Sequence, residues 1–184
     1  EMGELTTALL ALAREPIGPP PPAPCCSVTE VLEEVAERYR PLLRDKPVTL
    51  TVETQAHPWL AVDRPLLAVT LGNLLRNACA YTRSGQVLVT LTMTDVTVAD
   101  TGPGISPEEL PYIFELRRRE NRTSGGAGIG LPLVKRIADR QGWQVTAEPR
   151  ETGGLSLQLV FGGGAVVMPS KLTKEGERAP CPVA

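Results

Sequence analysis

The chain has 184 residues, a formal net charge of −2, 42% hydrophobic residues and 4% aromatic residues. That suits one domain with appendages and an aliphatic core, and it excludes bulk electrostatic attraction to nucleic acid or to an anionic membrane. No apolar run reaches the length of a membrane span, and no signal-peptide pattern occurs. The chain opens on Glu1 inside a helical pattern and reads as a fragment of something longer. Its four cysteines, Cys25, Cys26, Cys79 and Cys181, lack metal-site spacing. Cys79 falls in an apolar helical segment and reads as a reduced core thiol, in keeping with a cytoplasmic setting.

Met2, Leu5, Leu9 and Leu12 are spaced three, four and three apart. This is a heptad seam, suited either to a helical bundle or to an amphipathic helix packed on the main domain. The pattern stops at Pro16, and Pro19 to Pro22 and Pro24 make residues 16–26 a semi-rigid linker. Ser27 opens a new helix, with Glu30 completing a capping box. Val28, Leu32, Val35, Ala36, Tyr39 and Leu43 share one face, and Pro41 shortens the last turn. Val48, Leu50 and Val52 alternate with polar residues as a strand, and Trp59 to Val62 is read as another short one. A long helix runs from Asp63 or Arg64 to about Thr82, with Pro65 in its first turn. Val87, Val89 and Leu91, then Val96 and Val98, form a hairpin turning at Thr94-Asp95.

Between Gly102 and Gly128 no period is sustained, apart from a short helix near Pro107 to Phe114. A helix from about Ile129 to Gln141 is stopped by Gly142. Strands at 143–148 and 155–161 follow, joined through Thr152-Gly153-Gly154. Residues 163–184 lack periodicity and read as a disordered tail. The order of elements suits a two-layer α/β sandwich, a mixed sheet with helices on one face.

Three clusters carry chemistry. Asn73, Asn77 and Tyr81 recur every fourth residue and form one helical stripe, opposite the apolar Leu67, Leu71, Leu74 and Ala78. A side-chain amide oxygen suits Mg2+, a hard ion that prefers oxygen; a solvated polar face is the plainer reading of the stripe alone. Asp100-Thr101-Gly102-Pro103-Gly104-Ile105 places an acid at a strand end before a tight glycine turn, which alone is an ordinary capped turn. Gly126-Ala127-Gly128-Ile129-Gly130-Leu131 opens a helix, and free N–H groups at a helix start bind phosphate; a flexible hinge is the alternative. The cluster is neither a Walker loop, which needs Gly-Lys-Ser/Thr, nor a dinucleotide fingerprint, whose third glycine would fall on Leu131. Arg117, Arg118, Arg119 and Arg122 lie between the two glycine clusters, as phosphate ligands or as a solvated basic run.

The order of these clusters over residues 27–162 resembles the catalytic and ATP-binding domain of sensor histidine kinases, in the GHKL ATPase superfamily. The resemblance implies the Bergerat ATP-binding fold, with ATP and Mg2+ as cofactors. It implies that Asn77 holds Mg2+, that Asn73 lies near metal and phosphate, and that Tyr81 packs beside adenine. Asp100 becomes the acceptor of the adenine N6 amino group, which selects ATP over GTP because guanine presents a carbonyl there. Gly102, Gly104 and Ile105 lie by the base or ribose, and Gly126, Gly128, Gly130 and Leu131 by the phosphates. The arginine-bearing segment corresponds to a mobile lid over ATP, and Phe114 matches its phenylalanine motif.

The phosphoacceptor histidine of such kinases sits on the first helix of an upstream dimerisation domain. Residues 1–15 would then end the second helix of that domain. His57, the single histidine of the chain, reads as a surface residue. The implied partners are the protein's own dimerisation and phosphoacceptor domain and the receiver domain of a response regulator, in a homodimeric, inner-membrane-anchored bacterial sensor. No nucleic acid is expected as a partner. Another GHKL ATPase of the gyrase or MutL kind, an anti-sigma serine kinase, and a non-catalytic nucleotide-sensing scaffold are the alternative readings.

Overall fold

A computed structural model describes residues 25–115, 129–162 and 166–167 of the chain. The expected N-terminal helix, most of the proline linker, Gly126, Gly128, the four lid arginines and most of the expected tail lie outside the described residues.

Strand β1 (Cys25–Ser27) leads into helix α1 (Val28–Tyr39). The Ser27 side chain accepts the Glu30 N–H at 3.3 Å, so the serine half of the expected capping box forms. Glu30 turns its carboxylate to Arg64 Nη1 at 3.6 Å, and Glu34 binds Arg64 Nη2 at 2.8 Å, tying α1 to α2 (Arg64–Tyr81). Such exposed pairs contribute at most about 1 kcal/mol. The stronger tie is burial of Val28, Val31, Leu32, Val35 and Ala36 of α1 in one core with Leu67, Leu71, Leu74 and Leu75 of α2. Each such side chain contributes roughly 1.5–3 kcal/mol on leaving water. At Pro41 the helix tightens into a 3-10 turn, Arg40–Leu43.

The main sheet has the order β2-β4-β5-β7-β6, from β2 (Val48–Thr54), β4 (Gly85–Leu91), β5 (Asp95–Asp100), β6 (Gln144–Pro149) and β7 (Leu155–Val160), with β3 (Trp59–Ala61) outside it. β2 and β4 are parallel and the other pairs antiparallel, so the sheet is mixed as expected. Val87, Val89, Leu91, Val96, Val98, Leu155, Leu157 and Leu159 are all buried on its helix-covered face. The period of two that marked these strands in the sequence is the trace of that face. The hairpin turns one residue earlier than read: Asp95 already belongs to β5, and its Oδ2 accepts the Thr92 hydroxyl at 2.7 Å. Helix α3 (Gly130–Gln141) ends at Gly142 with φ 68°, the left-handed stop that a glycine makes cheaply.

Two features depart from the sequence reading. A second sheet of order β1-β3-β8, with β8 at Val166–Val167, uses residues read as linker and as tail. Strands of two or three residues show no alternation, and these are fixed by cross-strand pairing such as Cys26 opposite Leu60. The segment from Pro107 to Phe114 holds only a 3-10 turn, Leu110–Tyr112; Pro111 lacks the N–H that a longer helix would bond at that position. Cys26 and Cys79 are buried free thiols, each pushed up to about 11 by burial. Among the described residues no helix is long and apolar enough to cross a membrane.

Candidate functional site

Asp100 closes β5 and is only 4% exposed. Its Oδ1 accepts the Gly102 N–H at 2.8 Å, and the carboxylate also accepts the Leu155 N–H. Burial pushes the carboxyl above its ordinary range, while these two N–H groups and the Arg150 guanidinium pull it back. A carboxylate has about four acceptor positions, so two donors leave capacity for a ligand's amino group.

The backbone around Asp100 is packed to the limit. A Cβ built on Gly154, where φ is +93°, would stand 2.0 Å from the Asp100 carbonyl oxygen, so only glycine fits. One on Gly102 would stand 2.9 Å from Asp100 Oδ1 and 3.2 Å from the Tyr81 carbonyl. Gly104 lies against the Gly154 carbonyl. The C-terminal end of α2, the glycine turn after β5 and the β6–β7 hairpin therefore converge on one carboxylate.

At the other end of the α2 stripe, Asn73 Nδ2 donates to the Val69 carbonyl at 2.8 Å. That fixes the amide and leaves Oδ1 toward the start of α3. A Cβ on Gly130 would lie 2.7 Å from Asn73 Oδ1 and 3.3 Å from Arg76 Nη2. Among the described residues no side chain caps the α3 N-terminus, where the first N–H groups carry the positive end of the helix dipole. The Asn77 side chain, half-buried between these two contacts, has no hydrogen bond among the described residues. No group of three or more His, Cys, Asp or Glu there could hold a metal ion. The donor set that remains for a hard cation is the Asn77 amide oxygen with oxygens of a ligand, which fits Mg2+ shared with phosphate.

The structure thus brings Asp100, Gly102, Gly104 and Tyr81 to the C-terminal end of α2, and Asn73, Arg76 and Gly130 together two turns earlier, at its middle. Ile105 and Phe114 are half-buried against the core, and Leu131 is inside it. His57 is exposed, with Nδ1 3.1 Å from the Thr29 hydroxyl at the start of α1. The sequence reading missed Arg76, Arg150, Gly154 and the Leu155 N–H. Arg76 carried a signal, lying three residues after Asn73 and beside Asn77. The Gly153-Gly154 pair was legible only as a turn.

Residues 62–164 match the family described as "Histidine kinase-, DNA gyrase B-, and HSP90-like ATPase". The sensor protein RstB of Escherichia coli K12 is 37% identical over 117 residues, which is 60% of this chain and 27% of RstB. The sensor protein QseC of Salmonella typhi is 35% identical over 132 residues, 70% of this chain and 29% of QseC. The chain thus matches under a third of the length of these relatives. Among solved structures, full-length ShkA in complex with AMPPNP superposes with a TM-score of 0.70 at 27% identity, covering 87% of this chain and 35% of ShkA. The mycobacterial sensor histidine kinase MprB gives 0.66 at 25% identity, covering 77% of this chain and 96% of that structure. The chain therefore belongs to the histidine kinase-, DNA gyrase B- and HSP90-like ATPase family, as a catalytic and ATP-binding domain of the sensor histidine kinase type.

Proposed function

We propose that this domain binds Mg-ATP and serves phosphotransfer from the γ-phosphate to a histidine carried by a separate dimerisation domain, and from there to an aspartate of a response regulator. The observation that carries the reading is the convergence of α2, the glycine turn and the β6–β7 hairpin on Asp100, with Asn73 and Gly130 meeting two turns back along the same helix. Asp100 accepts from the adenine amino group, and its charge disfavours the guanine carbonyl. Tyr81 flanks the base, with Gly102, Gly104 and Ile105 on its other side. Asn77 gives its amide oxygen to Mg2+. Asn73 and the N–H groups at Gly130 and Leu131 face the phosphates, with Gly126 and Gly128 completing that contact. Bound ATP supplies the phosphoryl group. The protein's contribution to such a transfer is positioning and charge stabilisation.

This domain is read as the cytoplasmic part of a homodimeric bacterial sensor anchored in the inner membrane; the relatives, named as bacterial sensor proteins, support the sensor part of that reading. Its cysteines do not carry that placement, since Cys25 is disulfide-bonded. The test is transfer from γ-labelled Mg-ATP to an added dimerisation domain that bears a histidine. Acid-labile phosphohistidine is the expected product. Acid-stable phosphoserine on an anti-sigma partner would place the chain with the serine kinases, and tight ATP binding without transfer would make it a nucleotide-sensing scaffold.

A further inference from the structure

Arg150 belongs to none of the sequence clusters, although it opens the β6–β7 hairpin that meets Asp100. It begins the β6–β7 turn, where its N–H donates to the Gly154 carbonyl at 3.2 Å and its own carbonyl accepts the Gly153 N–H at 3.0 Å. Its side chain crosses to the neighbouring strand end, and Nη1 donates to the Asp100 carbonyl at 2.8 Å. Gly154 is pressed against the same carbonyl, and Leu155 gives its N–H to the Asp100 carboxylate. Four consecutive features of one hairpin (a guanidinium, a turn, a Cβ-less residue and an N–H) therefore hold a single acid from behind.

We propose that Arg150 is a positioning residue for nucleotide recognition, clamping Asp100 by its carbonyl so that the carboxylate stays charged and aimed at the base. The inference rests on the reading of Asp100 as the adenine acceptor. Charge is the point at issue, because burial favours the neutral acid. Of the groups that face Asp100, the Cys79 thiol on α2 is neutral at physiological pH, held up to about 11 by burial. Lys46 is directed elsewhere, with Nζ on the Cys79 carbonyl at 2.7 Å and the Ala80 carbonyl at 3.3 Å. The glycine turn contributes the Gly102 N–H and no charge. Among the described residues, Arg150 is the one charged side chain that draws the Asp100 carboxyl down.

The experiment is calorimetric titration of Mg-ATP across about pH 5.5 to 8.5, with the parent chain and its Arg150→Met, Arg150→Lys and Asp100→Asn variants. The parent profile, measured alongside, carries the titration of the nucleotide's own phosphates. In Arg150→Met the carboxyl rises further, so binding should collapse at a higher pH than in the parent, with a several-fold larger loss at the acid end than at the alkaline end. Arg150→Lys restores a positive charge and should recover most of the parent profile. A parent-like profile in Arg150→Met, or a uniform loss shared equally by Met and Lys, overturns the proposal. Asp100→Asn keeps the two failures apart. If it binds ATP as the parent does, the adenine reading itself is wrong. If it loses binding while Arg150→Met keeps the parent profile, only the role of Arg150 is wrong.

Discussion

Asn73 and Gly130 meet across the α2–α3 interface so closely that a Cβ on Gly130 would stand 2.7 Å from the Asn73 side-chain oxygen. The contact joins two clusters that are 57 residues apart in the sequence. It also separates function from stability. The oxygen is the end of a side chain, so a methyl at position 130 can displace it by rotating the amide away from Val69. Gly130→Ala should therefore leave the unfolding free energy within about 1 kcal/mol of the parent, the helix propensity gained offsetting the hydrogen bond lost. Nucleotide affinity should fall, because the displaced amide and the added methyl both disturb the α3 N-terminus. Paired urea melts and ATP titrations check this; unchanged affinity would mean that the junction does not face the phosphates.

Gly154 presents the opposite case. Its carbon neighbour would be a backbone carbonyl oxygen at 2.0 Å, which cannot rotate away, and its φ of +93° is itself costly for other residues. Gly154→Ala should destabilise the domain by at least about 2 kcal/mol, from strain and overpacking together. Thermal unfolding measures it. A midpoint within a degree or two of the parent would show that β5 and the β6–β7 hairpin can separate without loss.

Asn77→Ala tests the metal assignment. Mg2+ keeps few protein ligands, so loss of one oxygen should weaken ATP binding in excess Mg2+ more than binding measured in chelator. Equal losses in the two conditions would make Asn77 a direct nucleotide contact or a structural residue instead. The half-buried amide without a hydrogen bond among the described residues argues against the structural role.

The sheet and the three helices were legible because each buries one face, and burial imposes a period of two or of 3.6 on the chain. Val87, Val89 and Leu91 announce a strand for the same reason that they are buried. The small second sheet was hidden because Cys25–Ser27 and Val166–Val167 are too short to show a period, and their pairing with β3 is a tertiary fact. The site divides in the same way. Asn73, Asn77 and Asp100 could be found because their spacing on one helix and their place before glycines are local. Arg150 could not, since nothing near it in sequence says that its guanidinium crosses to the carbonyl of a residue 50 positions earlier. Gly154 looked like any turn glycine until Asp100 was placed against it.

Asp100 itself makes two separable predictions, one for binding and one for folding. Asp100→Asn keeps the shape but loses a charge-assisted hydrogen bond to the base, on the order of 1.5–3 kcal/mol, or about ten- to a hundred-fold in ATP affinity near neutral pH. Calorimetry showing unchanged affinity would remove Asp100 from the site. For folding, the sign follows from the raised carboxyl. A group held above its ordinary value of 3.8 in the folded state favours folding most where it is protonated in both states. That contribution is lost as pH rises from the ordinary value through the raised one. The unfolding free energy of the parent minus that of Asp100→Asn should therefore decline as pH climbs from about 4 toward 7, then level off. The subtraction cancels the other carboxylates to first order. Urea melts at several pH values supply the curve. A difference that grows with pH would mean that the Gly102 and Leu155 N–H groups and Arg150 together outweigh the cost of burial, and that the folded state prefers Asp100 charged even without nucleotide.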